Sequence, residues 1–125
     1  MILLFFQNCQ HSDNCMEFKN GKFKFHNEDQ NSDYIVERKD SIQTETKLTT
    51  GVVMTEKVTW NSQCQYDLQQ ISTTNPHPEI GDSFLTIHPI HVNIIAVAKD
   101  YYVALSEIDA GRTKILITDT MVVIH

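Results

Sequence analysis

Two polar-apolar alternations joined by a short turn constrain this chain more than any other stretch. Val52, Met54, Val58 and Trp60 occupy alternate positions; after Asn61-Ser62 the same rhythm returns as Cys64, Tyr66 and Leu68. A period of two places such residues on one face of a strand, whereas a helix would repeat them every three or four positions. The segment therefore reads as a β-hairpin with one buried face, turning at Asn61-Ser62, around which the remaining strands assemble. Glu56 interrupts the apolar face, so that position marks either a bulge or a polar group aimed into a cavity.

The flanking segments repeat the pattern. A strand beginning at Phe18 carries Phe23 and Phe25 between Lys22 and Lys24, with Gly21 as a bulge or a close approach. Residues His26 to Asp33 are uniformly polar and read as a loop. Tyr34 to Arg38 and Ile42 to Lys47 form a second hairpin. The latter strand is nearly all polar, which suits an edge or a hydrated interior. From Ser72 to Asp82 two prolines and a glycine break any ladder. Ser83 to His88 then reads as a strand ending at Pro89. Ile90 to Ala98 is apolar enough for burial on both faces, Tyr101 to Ser106 is another strand, and Thr113 to Thr118 with Met121 to Ile124 supplies one or two more.

About eight short strands spaced about 8 to 12 residues apart, with no three-turn amphipathic helix, indicate an all-β fold. Sequential pairing favours an antiparallel up-and-down meander closed into a small barrel; the alternative is a β-sandwich. A length of 125 residues suits one domain, expected over 15–125, with 1–14 as a signal remnant or flexible tail. Hydrophobic content of 41% is enough for a core.

Sixteen acidic against ten basic residues give a net charge of -6, without the basic stripe that phosphate contacts require. Nucleic acid is not an expected partner, and Lys19, Lys22 and Lys24 read as solvated lysines protecting a strand edge. The apolar run Ile2 to Phe6 is shorter than a signal core of about 7 to 15 residues. It fits the end of an export signal that starts upstream, with Cys9 as a lipidation site; the alternative is an N-terminal strand. Membrane association is expected only through such an anchor. With Cys9 set aside, Cys15 and Cys64 are an even pair, which an oxidising envelope compartment favours joining and a reducing one leaves as two buried thiols.

No chemistry-bearing motif stands out. His88 and His91 fall on opposite faces of a strand, and bringing His77 to them relies on a loop, so no metal site is expected. Neither a Gly-x-Ser-x-Gly elbow nor a phosphate-cradling glycine loop occurs, and no cofactor or enzyme activity is expected. A closed barrel suits a small apolar ligand or lipid, for which Phe23, Met54, Trp60, Tyr66, Phe84 and Tyr102 are the expected lining. The alternative is a filled core serving a structural role or docking another envelope protein.

The pattern Cys15-x-x-Phe18-x-x-Gly21-x-Phe23, then Tyr34-Ile35-Val36-x-Arg38-x-x-Ser41-Ile42-Gln43-x-Glu45, then Val58-x-Trp60-x-x-x-Cys64-x-Tyr66-x-Leu68 resembles a family of short exported proteins of the Bacteroidota, often labelled DNA topoisomerase IV. The resemblance covers Cys15 to Leu68. It implies a cell-envelope protein of uncharacterised function and supports a bridge between Cys15 and Cys64. The label does not suit this chain: a topoisomerase needs a nucleotide-binding domain, acidic Mg²⁺ ligands and a tyrosine beside a basic cleft. Gly21-Lys22-Phe23 also resembles the Gly-x-Trp opening of lipocalin-like barrels, with phenylalanine in place of tryptophan.

Overall fold

A computed structural model describes residues 14–75 and 85–125. A 3₁₀ turn, Met16–Phe18, precedes eight strands: β1 (Gly21–Asn27), β2 (Ser32–Lys39), β3 (Ile42–Lys47), β4 (Val53–Ser62), β5 (Gln65–Thr73), β6 (Ile90–Val97), β7 (Tyr101–Asp109) and β8 (Lys114–Val123). Each strand pairs antiparallel with the next, and β1 pairs with β8, so the meander closes into the barrel that the alternation predicts. Closure gives every strand two neighbours, and open edge remains only where β1 and β8, and β5 and β6, part from one another. Lys22 and Lys24 accordingly guard no edge. They point outward and meet Glu37 and Asp33 of β2 at 3.2 and 3.7 Å, exposed pairs that contribute little to stability.

Several boundaries differ from expectation for identifiable reasons. Phe18 does not begin a strand. The Lys19 N–H bonds the Met16 carbonyl and closes a turn, which drives the Phe18 ring into the barrel floor, 5.0 Å from Tyr102. The polar run from His26 to Asp33 is loop only over 28–31; His26, Asn27, Ser32 and Asp33 extend the ladder, with His26 Nδ1 paired to Asp33 Oδ1 across the strands and Asn27 Oδ1 accepting the Gln30 N–H at the tip. Of the expected strand from Ser83 to His88, residues 85–87 are helical. Pro89 has no N–H to offer a ladder, so pairing with β5 starts only at Ile90. The central hairpin turns at Gln63-Cys64, two residues later than expected, and β8 is one continuous strand.

Single-residue insertions adjust which side chains face inward. Opposite Thr55 and Glu56 the register skips Ile71, and within β6 it skips Ile95. Both are more than half exposed, as an extra residue in a bulge should be. The apolar run of β6 is therefore buried on one face only. Gly21 is a close approach: its φ is +141°, and the Phe23 ring lies 3.2 Å from where a Cβ would stand.

The end holding Phe18, the β2–β3 and β4–β5 turns and the C-terminal end of β8 is the floor. Phe18, Phe23 and Tyr102 fill it, joined by tilted and edge-on ring contacts at 5.0 to 6.4 Å, a geometry that aromatic quadrupoles favour. A disulfide between Cys15 and Cys64 ties the 3₁₀ turn to the central hairpin, with Cα atoms 5.3 Å apart. At the opposite end, the mouth, pairing is sparser. β1 and β8 share only Phe23↔Val123 and Lys24↔Val122, and β5 pairs with β6 only from Gln65↔Asn93 to Leu68↔Ile90.

Candidate functional site

Two layers occupy the barrel interior. The lower one is organised by Arg38, the last inward residue of β2, which is 2% exposed and has no carboxylate bonded to it among the described residues. Its Nε donates to Gln43 Oε1 at 2.8 Å, Nη1 to the Phe18 carbonyl at 2.7 Å, and Nη2 to the hydroxyls of Tyr66 and Tyr102 at 3.2 and 2.9 Å. Burial works against its charge, but the two tyrosine oxygens outweigh it and hold the guanidinium pKa above the ordinary range. Phe23, Tyr66 and Tyr102 also turn ring faces toward it, with Tyr66 nearest at 4.6 Å. Burial also pushes the Tyr66 phenol well up, so it stays neutral and bonds the Tyr102 hydroxyl at 2.9 Å.

Arg38 also orients the layer above. Because its Nε takes the Gln43 oxygen, the Gln43 amide NH₂ must face the other way, where it donates to Glu45 and to Glu56, each at 3.3 Å. Glu56 thus sits beside a bulge and is buried facing inward, without lining the cavity. Burial raises its pKa well above the usual carboxylate range, and the neighbouring Glu45 carboxylate, bonded to it directly, raises it further. Glu56 therefore keeps its proton to higher pH than an exposed glutamate does. Asp119, facing in from β8, is raised by burial and then by Glu45. Carboxylates in direct contact leave no room for a water or sugar ring between them, unlike the glycosidase pairs held about 5 Å or more apart.

Above these acids lies a cavity of about 220 Å³. Its apolar wall includes Phe25, Leu68, Val92 and Ala104; its polar groups include Tyr34, Gln43, Glu45, Ser106 and Asp119. Phe25 and Tyr34 stack with ring centres 4.9 Å apart, and the Tyr34 hydroxyl donates to Gln30 Oε1. Leu85, from the short helical segment that replaces the expected strand, reaches the wall from the mouth side. Thr86 anchors that segment by accepting a hydrogen bond from Gln69 Nε2 at 3.0 Å.

Of the six residues expected to line the interior, Met54 and Tyr66 border this cavity. Phe23 and Tyr102 belong to the floor. Trp60 packs on Tyr66 at 4.7 Å with a buried Nε1 that finds no hydrogen-bond partner among the described residues. Phe84, Cys9 and His77 lie outside the described residues. His91 bonds Asp67 on the outer surface at 2.7 Å, and among the described residues no three metal-binding side chains are grouped. Arg38, Glu45 and Asp119 went unread in the sequence as site residues. The one available signal for Glu45 was the polar strand Ile42 to Lys47, whose inward positions prove to be Gln43 and Glu45; Asp119 between threonines resembles a turn.

No family model matches the chain, and neither does any curated protein or solved structure.

Proposed function

We propose that the protein is a non-enzymatic binding module working outside the cytoplasm, which holds a small, largely apolar molecule in the mouth half of its barrel. The cavity carries this reading. The floor is filled by interlocked aromatic rings, yet the same barrel keeps about 220 Å³ open beneath Leu85. A cavity of about 150 Å³ accommodates benzene, so this one has room for about nine non-hydrogen atoms, and a whole lipid would exceed it. The disulfide supports an oxidising compartment such as the periplasm or cell surface. Among the described residues no helix is long and apolar enough to cross a membrane. Attachment through a lipidated Cys9 belongs to the same proposal.

Native and denaturing mass measurements on protein recovered from the envelope of its own host test the reading. A native mass exceeding the denatured one by a discrete small-molecule increment supports it. Equal masses would remove it.

One observation favours a second reading, a protein-interaction module. Ile115, Leu116 and Ile117, exposed by 44, 60 and 38%, stand on the part of β8 that extends past its pairing with β1. An apolar strand edge of this kind accepts a strand from a partner. A protein recovered with the native chain but lost from Leu116→Lys, with no small-molecule increment, would favour this alternative.

A further inference from the structure

We propose that the ligand is a small amine, with its ammonium group seated against Glu45 and Asp119 and an aromatic or aliphatic body against Phe25, Leu68 and Val92. The inference rests on the small-molecule reading above and specifies the chemistry of that site.

The cavity wall has an excess of acceptors over donors. Among the described residues two carboxylates, Glu45 and Asp119, border it and no lysine or arginine does. Glu56, a third acid, is buried behind this wall without lining it and is hydrogen-bonded to Glu45. Among the described residues the one amide donor reaching this group is Gln43 Nε2, divided between Glu45 and Glu56 at 3.3 Å each, longer than the usual range of about 2.7 to 3.2 Å. Gln70, 5% exposed, lies on the inward face of β5 two residues past Leu68 and across the ladder from Glu56. Its Oε1 is buried without a hydrogen-bond partner among the described residues. Gln70 does not border the cavity, so the donors wanted within the wall are those for Glu45 and Asp119.

An ammonium group matches what is missing. It brings three N–H donors and one positive charge in a compact head. Opposite charge would also reverse the mutual repulsion through which Glu45 raises the pKa values of Glu56 and Asp119. Aromatic walls favour a cation in addition. Competing ligand classes fit less well. A carboxylate or phosphate would face Glu45 and Asp119 with no free cation: every nitrogen of Arg38 is already bonded within the floor, and Lys47, the next inward position of β3, is not part of the wall. A purely apolar molecule would leave the acids of the wall unmatched. A metal ion lacks the three grouped ligands it needs among the described residues.

Three probes of about nine to ten non-hydrogen atoms, the size the cavity admits, separate these classes. Phenethylammonium, 2-phenylethanol and phenylacetate share one ring and tether and differ in their head group. Titration calorimetry on the full chain near pH 7 should show phenethylammonium binding about tenfold or more tighter than 2-phenylethanol, with phenylacetate weakest. Glu45→Gln keeps the side-chain shape; it should remove that advantage while leaving 2-phenylethanol within about twofold, and Asp119→Asn should do the same to a smaller extent. Unfolding midpoints confirm that each variant is folded. If the alcohol or the acid binds as tightly as the amine, or if amine binding survives both substitutions unchanged, the amine assignment fails and the small-molecule reading stands. If none of the three binds, both fail.

Discussion

Arg38 on β2 donates an Nη2–H to the Tyr102 hydroxyl on β7 at 2.9 Å, joining opposite walls of the barrel across 64 residues of chain. The same guanidinium holds the Phe18 carbonyl and the Gln43 oxygen, so one side chain links the plug, the floor and the acid layer. Arg38→Met would leave those two oxygens buried without a donor, and a loss of about 3 to 5 kcal/mol is expected. Tyr102→Phe, which leaves Tyr66 in place, should cost about 2 kcal/mol. Urea denaturation measures both. A parent-like midpoint for Arg38→Met would mean that the clamp contributes nothing to stability.

The Cys15–Cys64 bond closes a loop of 49 residues around β1 to β4. Chain-entropy reasoning puts the stabilisation of such a cross-link at about 4 kcal/mol. The double variant Cys15→Ser, Cys64→Ser should therefore unfold at distinctly lower urea, and the parent protein should match it once reductant is added. Because the bond anchors the plug that carries Phe18, Trp60 fluorescence should report the loss in the same transition. Identical midpoints with and without reductant would show that the bond is not supporting the fold.

The barrel was legible because its evidence is local. Val58, Trp60, Tyr66 and Leu68 keep a strict two-residue period, and sequential pairing of such strands leads directly to a meander. The cysteine pair could be counted, with its joining left to compartment and resemblance. What could not be read depends on contacts distant in sequence. Arg38 lies in Tyr-Ile-Val-Glu-Arg-Lys, where alternation makes it inward but composition makes it look like one more surface charge; only the convergence of Phe18, Gln43, Tyr66 and Tyr102 makes burial tolerable. Asp119 likewise faces inward through its place in the β7–β8 register opposite Ala104, which no local signal reveals. The helical segment at 85–87 overrides a β-like composition because Pro89 denies it a ladder.

Stability should decline as pH rises above about 4.5, the ordinary Glu56 value, because burial and then Glu45 hold this carboxyl well above it in the fold. Between the unfolded and folded pKa values the barrel retains a proton that the unfolded chain has released, so each step upward in pH favours unfolding. Below 4.5 both states are protonated and the effect vanishes. Asp119 acts with the same sign above its ordinary 3.8. Asp33 acts oppositely: its hydrogen bond from His26 lowers its pKa, and the stabilisation it brings is lost as pH falls below 3.8. Glu56→Gln can still accept from Gln43 and donate to Glu45, so it should be more stable than the parent at neutral pH and converge with it near pH 4. Urea midpoints between about pH 4 and about pH 8 decide the matter; parallel curves for the two proteins would show that Glu56 is ionised in the fold.

Filling the cavity should separate ligand binding from folding. Ala104, 3% exposed on β7, borders the open space, and Ala104→Leu would extend three carbons into it. Burying three carbons is worth about 2 kcal/mol at roughly 0.8 kcal/mol each, against a repacking cost of about 1 to 3 kcal/mol, so the empty barrel should change by about 1 kcal/mol or less. A bound molecule has no such compensation, because the leucine occupies its place. The expected result is a variant with a near-parental urea midpoint, a native mass equal to its denatured mass and at least about tenfold weaker binding of phenethylammonium. If it retains the parent's bound mass and affinity, the ligand sits elsewhere, and the β8 edge at Leu116 becomes the surface to test.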